Sequence, residues 1–226
     1  MLDIPFIFSI LPRLTGALAL TIAVSLVSLV LGTFFGMLLG VIKSMSRQGS
    51  ITRLVIDAFV WVVRGTPVLV QIFAFFFLLP RIGVKLDVFW IGVIALTFNS
   101  AGYQVEIVRA AIESIGKGQH EAALSIGMSR NMAMRFIILP QAARRMIPPL
   151  TNELANLVKA SSALSVIALF ELTKASNAII AGTFKFTEVL IVEAFLYFAV
   201  IHLLVTGSRM LEQRAFGANA VQVRHA

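Results

Sequence analysis

From Leu14 to Ile42 the chain carries no charged residue. Inside a bilayer every backbone N–H and C=O must be bonded within the protein, so an apolar run of this length folds as a spanning helix. Four more such runs follow, roughly Leu54 to Leu79, Val88 to Ala110, Met146 to Phe170 and Val189 to Leu211. Composition agrees, with 58% hydrophobic residues, 13% charged and a mean hydropathy of +0.92. The expected fold class is an all-α membrane protein with five transmembrane helices, one transmembrane domain over residues 1–226. The first run is too long for a cleaved leader, so the N-terminus is expected to be retained.

Five spans put the termini on opposite sides. Lys43, Arg47 and Arg53 fall in the first loop, Arg109, Lys117, Arg130, Arg135, Arg144 and Arg145 in or beside the third, and Arg209, Arg214 and Arg224 at the end. With Arg64 low in the second run, one side holds 13 of the 19 basic residues. The positive-inside rule then sets the N-terminus outside and the C-terminus in the cytoplasm. In such a chain a net charge of +8 reflects topology and lipid headgroups, and no nucleic-acid partner is expected.

Gly32, Gly36 and Gly40 recur every four residues and make a smooth stripe for close helix contact. Arg64, Gly65, Thr66 and Pro67 predict a kink or helix restart in the second span. The absence of cysteine excludes disulfides and thiolate chemistry. His120 and Glu121 begin like a zinc-protease motif, but position 124 is leucine. His120, His202 and His225 are too dispersed for a metal site, and His202 reads as a packing histidine. Phe73, Phe75, Phe76 and Phe77 read as lipid or core packing. No phosphate-cradling GxxxxGK sequence occurs, so the chain is not expected to hydrolyse ATP.

The third loop, about residues 112–141, has structure of its own. Lys117 to Ile126 are good helix formers, Gly127 stands where a left-handed residue closes a helix, and Ser129 caps a second short helix expected to end at Pro140. Beside Glu121, the small Ala122 and Ala123 form a compact ridge that either rests on lipid as an interfacial helix or, lacking large apolar anchors, suits a groove on another protein. The spacing Glu121-Ala122-Ala123, Gly127, Ile137, Leu139-Pro140 resembles the signature of permease subunits of ATP-binding cassette importers. The flanks VRGTPVLVQIF, EIVRAAIESIGKGQHEAALSIGMS and ILPQAARRMIPPLTNELANLVKASSALSVIAL resemble the polar amino-acid uptake branch.

That resemblance implies a type I importer permease fold of the bacterial inner membrane. It implies ATPase subunits that bind ATP and magnesium, a second permease subunit and an extracytoplasmic solute-binding protein, with no cofactor in this chain. The loop would be the coupling helix, with Glu121 as the polar contact, Ala122 and Ala123 for close fit and Gly127 for the turn.

Ionisable and amide groups at membrane depth are functional candidates. Asn152, Glu153, Asn156 and Lys159 form a polar stripe on the fourth span, with Ser161 just beyond, and Asn99, Tyr103 and Glu106 form another on the third. Gln71 adds an amide on the second. Glu106 and Arg109, three residues apart, read as a structural or gate ion pair. The other stripe is either interhelical glue or a substrate path, and Glu153 with Lys159 supplies the two signs that a zwitterionic amino acid would meet. Relatives that carry basic amino acids or cystine often have an aspartate directly after the lysine, where this chain has Ala160. A polar or acidic amino acid is therefore the expected solute. The competing readings are an ATP-independent carrier or channel and a non-transporting scaffold.

Overall fold

A computed structural model describes residues 2–216, all helix, turn or irregular chain with no strand among them. The helices are α1 (Ile4–Met45), α2 (Ile51–Gly65), α3 (Val68–Arg81), α4 (Val88–Glu113), α5 (Lys117–Ser125), α6 (Arg130–Ala133), α7 (Leu139–Ala160), α8 (Leu172–Thr183) and α9 (Phe186–Phe216). Three stretches, Ile4–Met45, Val88–Glu113 and Phe186–Met210, are single helices long and apolar enough to cross a membrane. The number rises to five if each of two bent pairs is one span. Arg224 and His225, used above for orientation and metal ligation, lie outside the described residues.

Helix α4 is the hub, packed against α1, α2, α3 and α7. The glycine stripe of α1 is the face laid on it. A Cβ at Gly36 would lie 2.5 Å from Gln104 Cβ, and one at Gly40 would lie 2.7 Å from Val108 Cβ. Gly102 makes the same close approach to Val63 of α2, at 2.5 Å. Gly36→Leu is therefore expected to lower the thermal midpoint in detergent sharply, because overpacking costs on the order of 1–3 kcal/mol even where neighbours yield. Gly16→Ala, with nothing within 4 Å of the new Cβ, should leave the midpoint unchanged or raise it.

The helix does break and restart at Thr66 and Pro67, as predicted. Thr66 and Pro67 separate α2 from α3, and the two axes meet at 106°. Proline has no N–H to continue the ladder, and Gln71 replaces it by donating to the carbonyls of Val63 (2.9 Å) and Thr66 (3.2 Å). The fourth run is not one span-length helix over 146–170. Helix α7 begins earlier, at Leu139, and passes through a 3-10 stretch, Ser161–Ile167, before Ala168 turns left-handed. Glu171, fully buried, then caps α8, its carboxylate accepting from the N–H groups of Thr173 and Lys174.

Pro140, expected to end the second surface helix, instead lies in the first turn of α7. A π-helical turn over Met134–Ile138 precedes it, and the Leu139 N–H bonds back to the Met134 carbonyl. The wider turn shifts the hydrogen-bond ladder ahead of the proline, so its missing donor does not break the rod.

At the start of α1 the Asp3 carboxylate accepts from the Phe6 N–H and pairs with Lys185, just before α9. The Lys185 hydrogen bond, with the Phe6 N–H, holds the Asp3 pKa below its usual value. A carboxylate depressed in the folded state stabilises above its unfolded pKa, roughly 3.9, and loses that contribution as pH falls through its folded value. The Lys185→Met variant should accordingly lose part of the acid sensitivity of thermal unfolding.

Candidate functional site

Two polar cavities open side by side where the α2–α3 break faces α4 and α7. One of about 470 Å³ is lined by the break itself, by Asn99 and by Ala160. Its neighbour, about 530 Å³, is lined by Glu106, Ser114, Arg145 and Asn152. Arg64, Tyr103, Glu153 and Asn156 line both. The α2 helix delivers Arg64 at its last turn, where the guanidinium lies over the Tyr103 ring at 5.4 Å. Glu153 is only 6% exposed, and its Oε1 accepts from the Ser100 hydroxyl at 2.7 Å. Ser100 in turn accepts from the Gln104 amide at 2.8 Å, so two linked polar side chains from α4 fix this carboxylate.

The residues singled out in the sequence separate accordingly. Asn99, Tyr103, Glu106, Asn152, Glu153 and Asn156 line one or both cavities. Gln71 is buried and its amide is committed, donating to the broken end of α2 and accepting from Asn99 at 3.0 Å. Lys159 is exposed and lines neither cavity, and Ser161 is buried with its hydroxyl donated to the Val158 carbonyl. The basic groups sharing a cavity with Glu153 are thus Arg64, in both, and Arg145, in the second. Arg64 stands directly before a Gly-Thr-Pro break, and its sequence reading covers topology and that break but not the cavity.

Glu106 and Arg109 form an ion pair at 2.9 Å, but within a larger network. Lys43, 6% exposed, lies between Glu106 (2.5 Å) and Asp57 of α2 (2.6 Å), while Arg109 also pairs with Glu113. Lys43 is therefore drawn out of its expected loop setting into a contact between α1, α2 and α4. Charges this buried persist only when matched on several sides.

The surface unit begins with α5. Gly127 has φ of +85°, with its N–H bonded to Leu124 and the next N–H, of Met128, to Ala123. Ser129 caps α6 by accepting from the Met132 N–H. Glu121 and Ala122 are exposed, whereas Ala123 is buried against the chain's own core. Large apolar side chains are also exposed here, contrary to the sequence reading: Leu124, Ile126 (78%), Met132 and Phe136. Alternation along helix termini and turns concealed them, because a residue's outward face there depends on the turn that follows.

Residues 32–217 match the family described as the binding-protein-dependent transport system inner membrane component. The chain is 33% identical over 205 residues to the arginine transport system permease protein ArtQ of Bacillus subtilis, covering 90% of this chain and 93% of that one. It is 38% identical to the L-cystine transport system permease protein TcyB of the same organism (90% and 86% covered). With the glutamine transport system permease protein GlnP of Escherichia coli it shares 36% identity (92% and 95% covered). A crystal structure of an amino acid ABC transporter with histidines superposes with a TM-score of 0.86 at 33% identity, covering 95% of this chain and 99% of that one. The MetNI methionine ABC transporter, inward facing, shares the fold at 20% identity and a TM-score of 0.78, over 94% of this chain and 99% of that one. The hub helix, the bent α2–α3 pair and the helix-turn-helix at Gly127 are therefore features of a chain that belongs to the family of binding-protein-dependent transport system inner membrane components.

Proposed function

We infer that this chain is the permease subunit of an ATP-driven amino-acid importer of the bacterial cytoplasmic membrane. It has five spans, an outside N-terminus and a cytoplasmic C-terminus. A second permease subunit completes the pathway, a solute-binding protein delivers the amino acid from outside, and separate ATPase subunits bind ATP and magnesium. The segment 117–128 seats in the ATPase and carries its closure into alternating access. One observation carries this reading: the chain from Arg130 to Ile167 runs as a single rod that joins the α5–Gly127 turn directly to the wall holding Asn152, Glu153 and Asn156.

Arginine, L-cystine and glutamine, the solutes in the relatives' names, share an α-carboxylate and an α-ammonium. Arg64 and Glu153 face the same cavity and match that shared head, with Asn99 and Asn156 as amide partners. Ala160 lines the wall on which a neighbouring aspartate would meet a cationic side chain. This supports a polar or acidic amino acid as solute. Ala160→Asp is expected to raise uptake of a cationic amino acid relative to a neutral one by about tenfold, since a hydrogen bond to a charged group contributes about 1.5–3 kcal/mol.

The chain has no cysteine, so a single cysteine at Ala122 gives an unambiguous cross-linking site. Reconstituted with ATPase and binding protein, the permease should cross-link there to the ATPase, and uptake should require ATP. Gradient-driven flux with no ATPase bound would overturn the reading in favour of a secondary carrier or channel.

A further inference from the structure

Helix α7 touches the surface unit through two polar contacts between residues far apart in the chain. Arg145 Nη1 donates to the Ser114 carbonyl at 2.6 Å, and Gln141 Nε2 donates to Gln119 Oε1 at 3.2 Å. Ser114 is the residue at which α4 ends and hands the chain to α5. A carbonyl at such an end has no helical N–H to accept from, and the negative end of the helix dipole favours a cation there. Around these contacts the packing is apolar, with Ile115 from the α4–α5 joint, Ile138 from the π turn, and Ala142 and Met146 from α7 in one buried cluster. Apolar contact holds these elements together, and a hydrogen bond adds a directional tie. Arg145 supplies the direction.

We propose that Arg145 is the positioning residue that passes displacement of α5 to α7, through its hydrogen bond to the Ser114 carbonyl. Two features of α7 make the position consequential. Glu153 lies two turns further along the same helix, so movement at Arg145 is movement of the cavity wall. Pro148 and Pro149 stand between them without ladder N–H groups, yet α7 runs unbroken from Leu139 to Ala160, so the contact and the wall belong to one continuous helix. This inference rests on the reading of α5 as the ATPase contact.

The test is the number of solute molecules transported per ATP hydrolysed, measured in the reconstituted complex of permease, ATPase and binding protein. In R145A this ratio should fall about tenfold with the ATPase still co-purifying, in keeping with a coupling free energy of ordinary size. R145K, which keeps a charged donor, should recover most of it. A merely structural role would lower the yield of complex and leave the ratio intact. A ratio in R145A within about twofold of wild type overturns the proposal. If R145A does not assemble, R145Q carries the same test with the same expected loss, since its amide is too short to bridge to Ser114. Absence of the ATPase from the wild-type complex would overturn the α5 reading and this inference with it, whereas an intact complex with an unchanged R145A ratio sinks the inference alone.

Discussion

Glu153→Lys will abolish uptake, lowering its rate by about a hundredfold or more, with the ATPase still bound and the protein still inserted. Glu153 is the buried acid of the two cavities, held by Ser100 and indirectly by Gln104. A lysine there loses the serine's donor as a partner and sets a second cation in the space already lined by Arg64. Uncompensated charge in a buried setting costs about 3–5 kcal/mol, and each 1.36 kcal/mol in a barrier is about tenfold in rate. Glu153→Gln keeps the shape and an acceptor for Ser100 but drops the charge that would meet an α-ammonium, so about a tenfold loss is expected. Lys159→Ala, on a side chain that lines neither cavity, should transport normally. Radiolabelled uptake into proteoliposomes measures all three. Unchanged kinetics in Glu153→Lys would remove this residue from the pathway.

The second large effect is expected at Gly127. A Cβ there would touch nothing within 4 Å, so the substitution is not resisted by crowding. The resistance is conformational, because φ is +85° and an L side chain pays roughly 1–2 kcal/mol in that region, a β-branched one more. Gly127→Val should therefore unmake the turn that presents Glu121 and Ala122, and ATP-driven uptake should fall at least about tenfold while membrane insertion is retained. The order of variants separates this cause from bulk: Gly127→Asn, which tolerates the left-handed region, should remain close to wild type, with Gly127→Ala between. Transport by Gly127→Val at the wild-type rate would end the role given to the turn.

What could be read from the chain depended on range. The Gly127 turn and the Ser129 cap are decided within a few residues of themselves, and the spacing of Gly32, Gly36 and Gly40 survives any detail of the partner, so these were legible. The restart at Pro67 was legible for the same local reason, but not the 106° bend, which follows from how α3 packs on α4. The commitment of the Gln71 amide was hidden because two of its acceptors are carbonyls at the end of α2, and backbone groups are invisible in a sequence until a helix is broken. Lys43 gave no sign of meeting Asp57 and Glu106, since the three lie on separate helices and only packing brings both carboxylates within 2.6 Å of its ammonium. Lys159 shared a helical stripe with Glu153, but periodicity alone does not say which edge of a stripe faces the cavity and which faces outward.

The stripe that α1 lays on α4 also governs which changes of length this chain can absorb. Adding one residue between Gly32 and Gly40 turns everything beyond it by about 100°, carrying the later glycines off the contact and driving full side chains against Gln104 and Val108. Lys43 would swing away from Asp57 and Glu106 in the same rotation. Insertions and deletions in descendants of this sequence should then accumulate around Gly49 and Gly83, where the backbone already turns in open space, and be purged from the middle of α1. The register of one helix is thus a ruler against which the lineage is held, however freely its loops drift.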